Sequence, residues 1–96
     1  MVDNHYVKVK RNDEAVWRVI DGDIVVLLPQ GAMLHALKGC GKRVWELIEG
    51  EITIPEIVRG ICNEYDVEPQ RASADITEFV YKLATWKLVD LVQTAS

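Results

Sequence analysis

The sequence predicts an α+β fold, a three-stranded antiparallel β-meander followed by three α-helices. Three observations predict it. Apolar runs over residues 15–20, 23–28 and 32–37 are separated by the turn residues Asp21-Gly22 and Pro29-Gln30-Gly31. From Cys40 onward, apolar residues recur at helical spacing. Thr53-Ile54-Pro55-Glu56 then writes a helix start in full, with threonine at the N-cap and glutamate three positions on.

The first meander strand holds Val16, Trp17 and Val19, with Trp17 free to face either way. Lys10, Arg11, Asp13 and Glu14 precede it and Arg18 lies within it, the charges that usually guard an exposed edge. Asp21-Gly22 is a two-residue hairpin signal, because both residue types tolerate positive φ. The second strand carries the unbroken run Ile24-Val25-Val26-Leu27-Leu28, which predicts a central strand buried on both faces. The third, Ala-Met-Leu-His-Ala-Leu over residues 32–37, has no charge, proline or glycine. It is an edge without the usual protection, so something must cover it. Upstream, Tyr6-Val7-Lys8-Val9-Lys10 alternates and fits a short additional strand.

A first helix is expected over residues 40–49, with Cys40, Val44, Leu47 and Ile48 on one face and Gly50 as its stop. The second follows Thr53, with Ile52 and Ile57 at the staple positions and Ile54, Ile57, Val58, Ile61, Cys62 and Tyr65 facing inward. Gly60 within it costs about 1 kcal/mol against alanine, which points to close packing there. Pro69 opens a third helix over residues 69–86, with Ala72, Ile76, Phe79, Val80 and Leu83 as its inner stripe. Trp45 and Trp86 are expected in the core or at its rim. Residues 88–92 can add a terminal strand. The chain thus divides into a polar N-terminal segment (1–13), one domain (14–92) and a fraying tail (93–96).

Ninety-six residues with 49% hydrophobic and 27% charged side chains describe one folded domain. No apolar run approaches the roughly 20 residues that span a bilayer, and the N-terminus lacks a signal peptide's apolar core. A cytoplasmic protein without membrane contact is expected. Cys40 and Cys62 fit no zinc or redox spacing and are read as free thiols.

The inventory for catalysis is poor. His5 and His35 belong to no ligand cluster. Gly39-Cys40-Gly41 lacks the pattern of a phosphate loop. A Cys40–His35 nucleophile pair lacks an orienting third group, and Glu46, Glu49 and Glu51 read as a solvated helix end. The chain is therefore expected not to be an enzyme and to hold neither metal nor cofactor.

Two binding functions remain. The order of elements is winged helix-turn-helix-like, and winged domains commonly place their last helix in the DNA major groove. Here that helix offers Arg71, Lys82 and Lys87 against Asp75 and Glu78, in a chain of net charge −4. Phosphate contacts supply most DNA affinity, so this balance argues against nucleic acid. The second function is β-augmentation, an extended peptide joining residues 32–37 as a fourth strand, with the third helix as the other wall.

One family carries the same pieces in the same order. Trp17-Arg18-Val19-Ile20-Asp21-Gly22-Asp23 is followed by Leu37 and by Gly41-Lys42-Arg43-Val44-Trp45-Glu46-Leu47-Ile48-Glu49-Gly50. Thr53-Ile54-Pro55-Glu56-Ile57-Val58, Glu64-Tyr65-Asp66-Val67, Asp75-Ile76, Phe79, Leu83 and Leu88-Val89 complete the pattern. From Val16 to Val89 the chain resembles the PqqD family, the RiPP recognition elements that bind leader peptides of ribosomally made, modified peptides. The resemblance implies a non-catalytic adaptor that brings a precursor peptide to a modifying enzyme, often a radical SAM protein. It implies a groove between the third strand and the third helix, lined here by Met33, Leu34, His35, Ala36 and Leu37 and, opposite, by Arg71, Ala74, Asp75, Glu78 and Lys82. The chain departs from the family where Lys38 replaces a common asparagine and Lys87 a common helix-ending glycine. A monomer, or a weak or domain-swapped dimer through the open edge, is expected.

Overall fold

The computed structural model describes residues 7–28 and 34–93. Among them are six strands and three helices in the order β1 (Val7–Arg11), β2 (Val16–Ile20), β3 (Asp23–Leu27), β4 (Leu34–Leu37), α1 (Gly39–Leu47), β5 (Ile52–Thr53), α2 (Ile54–Glu64), α3 (Pro69–Thr85) and β6 (Val89–Gln93). The expected meander is present as an antiparallel sheet in the order β2-β3-β4, and the three helices follow it.

A second antiparallel sheet, β5-β1-β6, corrects the division of the chain. The N-terminal stretch read as a polar segment supplies its central strand. Val9 faces Ile52 on one side and Leu91 on the other, and Val7 and Val9 are buried. The expected terminal strand forms and runs one residue further, bringing Gln93 opposite Val7. Residues 94–96 of the expected fraying tail lie outside the described residues. Both ends of the domain are therefore sewn together by one sheet.

Asp21 and Gly22 adopt φ of 53° and 85°, the left-handed pair that a tight hairpin requires. From that turn the register runs Trp17↔Val26 and Val19↔Ile24, then Val26↔His35 and Ile24↔Leu37. These residues share the inner face, where Ile24, Val26 and Leu37 are buried. Val16, Arg18, Val25, Leu27, Leu34 and Ala36 share the outer face, because side chains alternate along a strand. β3 is central as expected, but only its inner face is fully buried.

One of the expected guard charges, Arg11, has a different role. Arg11 ends β1, and its guanidinium lies over Trp17 at 4.8 Å and over Trp45 at 5.1 Å. Its Nη2 donates to the Trp45 carbonyl oxygen at 2.6 Å. Arg11 thus brings a cation to the C-terminal end of α1, whose last turn carries no basic residue of its own. Burial pulls its pKa below the ordinary arginine value, against the attraction of Glu49 and Glu46. Trp17 turns inward, edge-on to Trp45 with ring centroids 6.2 Å apart. Trp45 is fully buried, a core residue.

α1 ends two residues earlier than expected, at Leu47, and Ile48 is its buried C-cap. α2 begins as its sequence specifies. The Glu56 amide donates to Thr53 Oγ1 at 3.3 Å, and the Thr53 amide donates to Glu56 Oε1 at 3.0 Å. These bonds hold the Glu56 carboxyl below the usual carboxylate range. Ile54, Ile57 and Ile61 are buried, whereas Tyr65, expected on the same face, caps the helix and is exposed. Arg43 joins α1 to α2 by a two-pronged pair with Glu64, Nε to Oε1 and Nη2 to Oε2, both 2.7 Å.

α3 buries Ala72, Ile76, Val80 and Leu83. It ends with paired backbone bonds, Lys87 N–H to Ala84 O and Leu88 N–H to Leu83 O, each 3.0 Å, the Schellman pattern. Lys87 occupies the left-handed position at φ 65°, where glycine was expected from related sequences. Asn12 secures this corner from β1's end, donating from Nδ2 to the Lys87 carbonyl at 2.9 Å. Helices and inner sheet faces enclose one core that includes Val9, Ile24, Trp45, Ile57, Val80 and Leu88.

Candidate functional site

β4 is bonded to β3 on one side and, among the described residues, has no strand on the other. Its residues divide by the pleat. Leu37 is buried in the core, so it can offer an incoming strand its backbone but not its side chain. His35, on the same inner face, is half-buried and lies against Trp86 with ring centroids 4.6 Å apart and planes inclined by 26°. Leu34 and Ala36 are exposed on the outer face. Met33 lies outside the described residues.

Trp86 is the C-cap of α3, so the stack ties β4 to that helix end. From there β4 leads through Lys38 into α1, beside the N-terminal half of α3. At this end an apolar cavity of about 430 Å³ opens. Val44, Ile61, Val67, Ala72, Ile76 and Phe79 form much of its wall, and Lys38, Arg71 and Asp75 supply its charged members. Exposed Cys40 also borders it.

The close approach of α1 and α3 at the cavity has a sequence cause. Gly41 stands in α1 where a Cβ would meet the Phe79 ring at 2.9 Å. The absent side chain lets α3 approach α1, and Phe79 lies between them, half-buried. The charges balance. Lys38 Nζ is 3.7 Å from Asp23 Oδ2, and Arg71 Nε is 3.9 Å from Asp75 Oδ2. The Arg71–Asp75 side chains are 84% and 71% exposed, so their pairing contributes little to stability. No strong field of either sign results.

Of the expected residues on α3, Arg71 and Asp75 border the cavity. Ala74, Glu78 and Lys82 are exposed and are not among its lining residues. Helical spacing explains the division. Arg71, Asp75, Phe79, Lys82 and Trp86 follow one another at i+4 or i+3 on one stripe, along which Lys82 falls past the cavity, between Phe79 and Trp86. Ala74 and Glu78 lie one stripe further out. Sequence reasoning missed Phe79 and Trp86 as site residues by assigning both to the core. It also missed Val67 and Gly41, for which the spacing of α3 alone contains no signal.

The arrangement offers a free strand edge, an apolar cavity at one end and a ring stack at the other. It can take an extended chain and bury one or two of its side chains. Among the described residues no group of three or more metal-ligating side chains is present, and no helix is long and apolar enough to cross a membrane. The mixed charges along α3, Arg71 and Lys82 with Asp75 and Glu78, give no support to DNA binding.

Comparison with known proteins agrees with this geometry. A search of curated protein sequences finds no match. Among solved structures, the chain is similar to TbiB1, determined in complex with the TbiA(beta) leader peptide, with a TM-score of 0.77 and 34% identity. That match covers 84% of this chain and 94% of TbiB1. The fold is also that of the PqqD truncation of PqqCD from Methylobacterium extorquens, described as a stand-alone RiPP recognition element, with a TM-score of 0.71. In that case identity is 21%, over 86% of this chain and 88% of the other. Residues 23–89, which include the meander's central and edge strands, all three helices and the start of β6, match the family described as coenzyme PQQ synthesis protein D. The chain belongs to the PqqD family.

Proposed function

We propose that this protein binds the leader of a ribosomally made precursor peptide by strand addition at β4 and presents it to a modifying enzyme. The observation that carries the reading is the uncharged β4 edge, unpaired among the described residues, beside an apolar cavity. Backbone hydrogen bonds along β4 supply affinity, and the cavity supplies selection for bulky apolar side chains. TbiB1, solved with a leader peptide, supports the ligand class. The protein itself performs no catalysis in this reading, and a radical SAM protein in the cytoplasm is the partner enzyme.

The test is a paired proline substitution. In an edge strand alternate amides point outward, so either Leu34 or His35 donates to the incoming peptide, and the other donates to β3. Of Leu34→Pro and His35→Pro, the variant whose lost amide faced outward keeps its fold and loses peptide binding. NMR titration with the leader should shift the amides of Leu34–Leu37 and of α3 in the wild type. A folded proline variant of each kind that binds with unchanged affinity would place the site elsewhere.

A further inference from the structure

The outer face of the meander is organised in cross-strand rows. Val16 faces Leu27, and Leu27 faces Leu34. This row is apolar from edge to edge and ends at Leu34, which is 65% exposed at the open side of β4. The next row runs Arg18, Val25, Ala36 and ends on a small side chain. A large unbranched-at-Cβ aliphatic at a bare sheet edge is a liability unless an incoming strand extends its row. A strand bonded to β4 places one residue directly opposite Leu34, with Cβ atoms about 4.5–5.5 Å apart.

We infer that Leu34 is a specificity-determining residue that reads the peptide on its outward face, selecting an apolar residue at the position opposite it. This rests on the strand-addition reading. The peptide is then read on both faces. Residues opposite Leu37 and His35 turn inward toward the cavity and the Trp86 stack. The residue opposite Leu34 turns outward and continues the Val16–Leu27–Leu34 row. The residue opposite Ala36 has a small neighbour and is weakly selected. Apolar selection therefore falls on positions of both parities, where a solvated outer face would select only one.

Selection of a phage-displayed library of random twelve-residue peptides on the wild type and on Leu34→Glu and Leu34→Lys tests this. Leu34 is exposed, so both variants are expected to fold, and circular dichroism checks it. Wild-type peptides should share an apolar outward position odd in spacing from the inward anchors. At that position alone, Leu34→Glu should select lysine or arginine and Leu34→Lys should select aspartate or glutamate. Wild-type peptides should bind Leu34→Glu about threefold to fivefold more weakly. Enriched peptides whose consensus is the same on all three proteins would overturn the role of Leu34 and leave strand addition standing. If no peptide is enriched, or peptides compete only for surfaces away from β4, strand addition itself falls. A wild-type dimer by sedimentation that Leu34→Glu dissociates, with an unchanged peptide consensus, would assign the row to a second copy of the chain instead.

Discussion

His35 of β4 and Trp86 at the end of α3 stack with ring centroids 4.6 Å apart, although 51 positions separate them in sequence. The contact fixes the open strand relative to the helix across the proposed groove. β4 is short and, among the described residues, is bonded on one side only, so its distance from α3 depends on such ties.

Trp86→Ala should therefore weaken leader binding about threefold to tenfold, the scale of one aromatic contact. Trp86→Phe should recover most of it. The loss should be accompanied by a downfield move of the His35 ring protons in NMR spectra, as the indole's ring current disappears. Unchanged His35 resonances would show that the stack is not occupied in solution.

Gly41→Ala places a Cβ at 2.9 Å from the Phe79 ring. Helix propensity favours alanine by about 1 kcal/mol, but overpacking costs about 1–3 kcal/mol. The variant should lose up to about 2 kcal/mol in urea unfolding. Phe79, pushed from its place, should fill part of the cavity and lower leader affinity more than overall stability. Gly60→Ala is the control, since the atom it meets, at 3.0 Å, is the end of the Leu47 side chain, away from the groove.

Arg11 fastens the meander to α1 through two indole rings and a carbonyl oxygen. Arg11→Ala should cost about 2–3 kcal/mol, combining a charged hydrogen bond with cation–π contacts. Arg11→Lys should recover less than half, because a compact ammonium cannot reach two rings and a carbonyl oxygen with the spread of a planar guanidinium. The urea midpoint should fall with its slope unchanged.

Lys87 stands at φ 65° in the turn that closes α3. Lys87→Gly relieves the left-handed strain and should stabilise the protein by about 1 kcal/mol, read as a rise in thermal midpoint. Trp86 precedes this turn, so leader affinity should be unaltered unless the stack shifts with it.

Much of the domain was legible in local sequence. The Asp21-Gly22 hairpin, the capping box at Thr53 and Glu56 and the opening proline of α3 each depend on neighbours within a few residues. The bare third strand was legible too, because an unguarded edge is a pattern of absent charge. β1 was faintly visible in its alternation, but its place was not. Its partners are Ile52 and residues 89–93, and pairing over such distances is decided by burial of Val7 and Val9 against the helices.

The site divides in the same way. By itself the sequence determined that Leu34, His35, Ala36 and Leu37 form an uncharged strand and that Asp75, Glu78 and Lys82 fall at i, i+3 and i+7 on the last helix. The tertiary structure alone decided which strand residues face inward, since a one-residue slip exchanges the two faces. It buried Leu37, turned His35 onto Trp86 and left Leu34 outside. It also opened the cavity over Phe79, because the missing Cβ of Gly41 acts only when α1 and α3 are packed against each other.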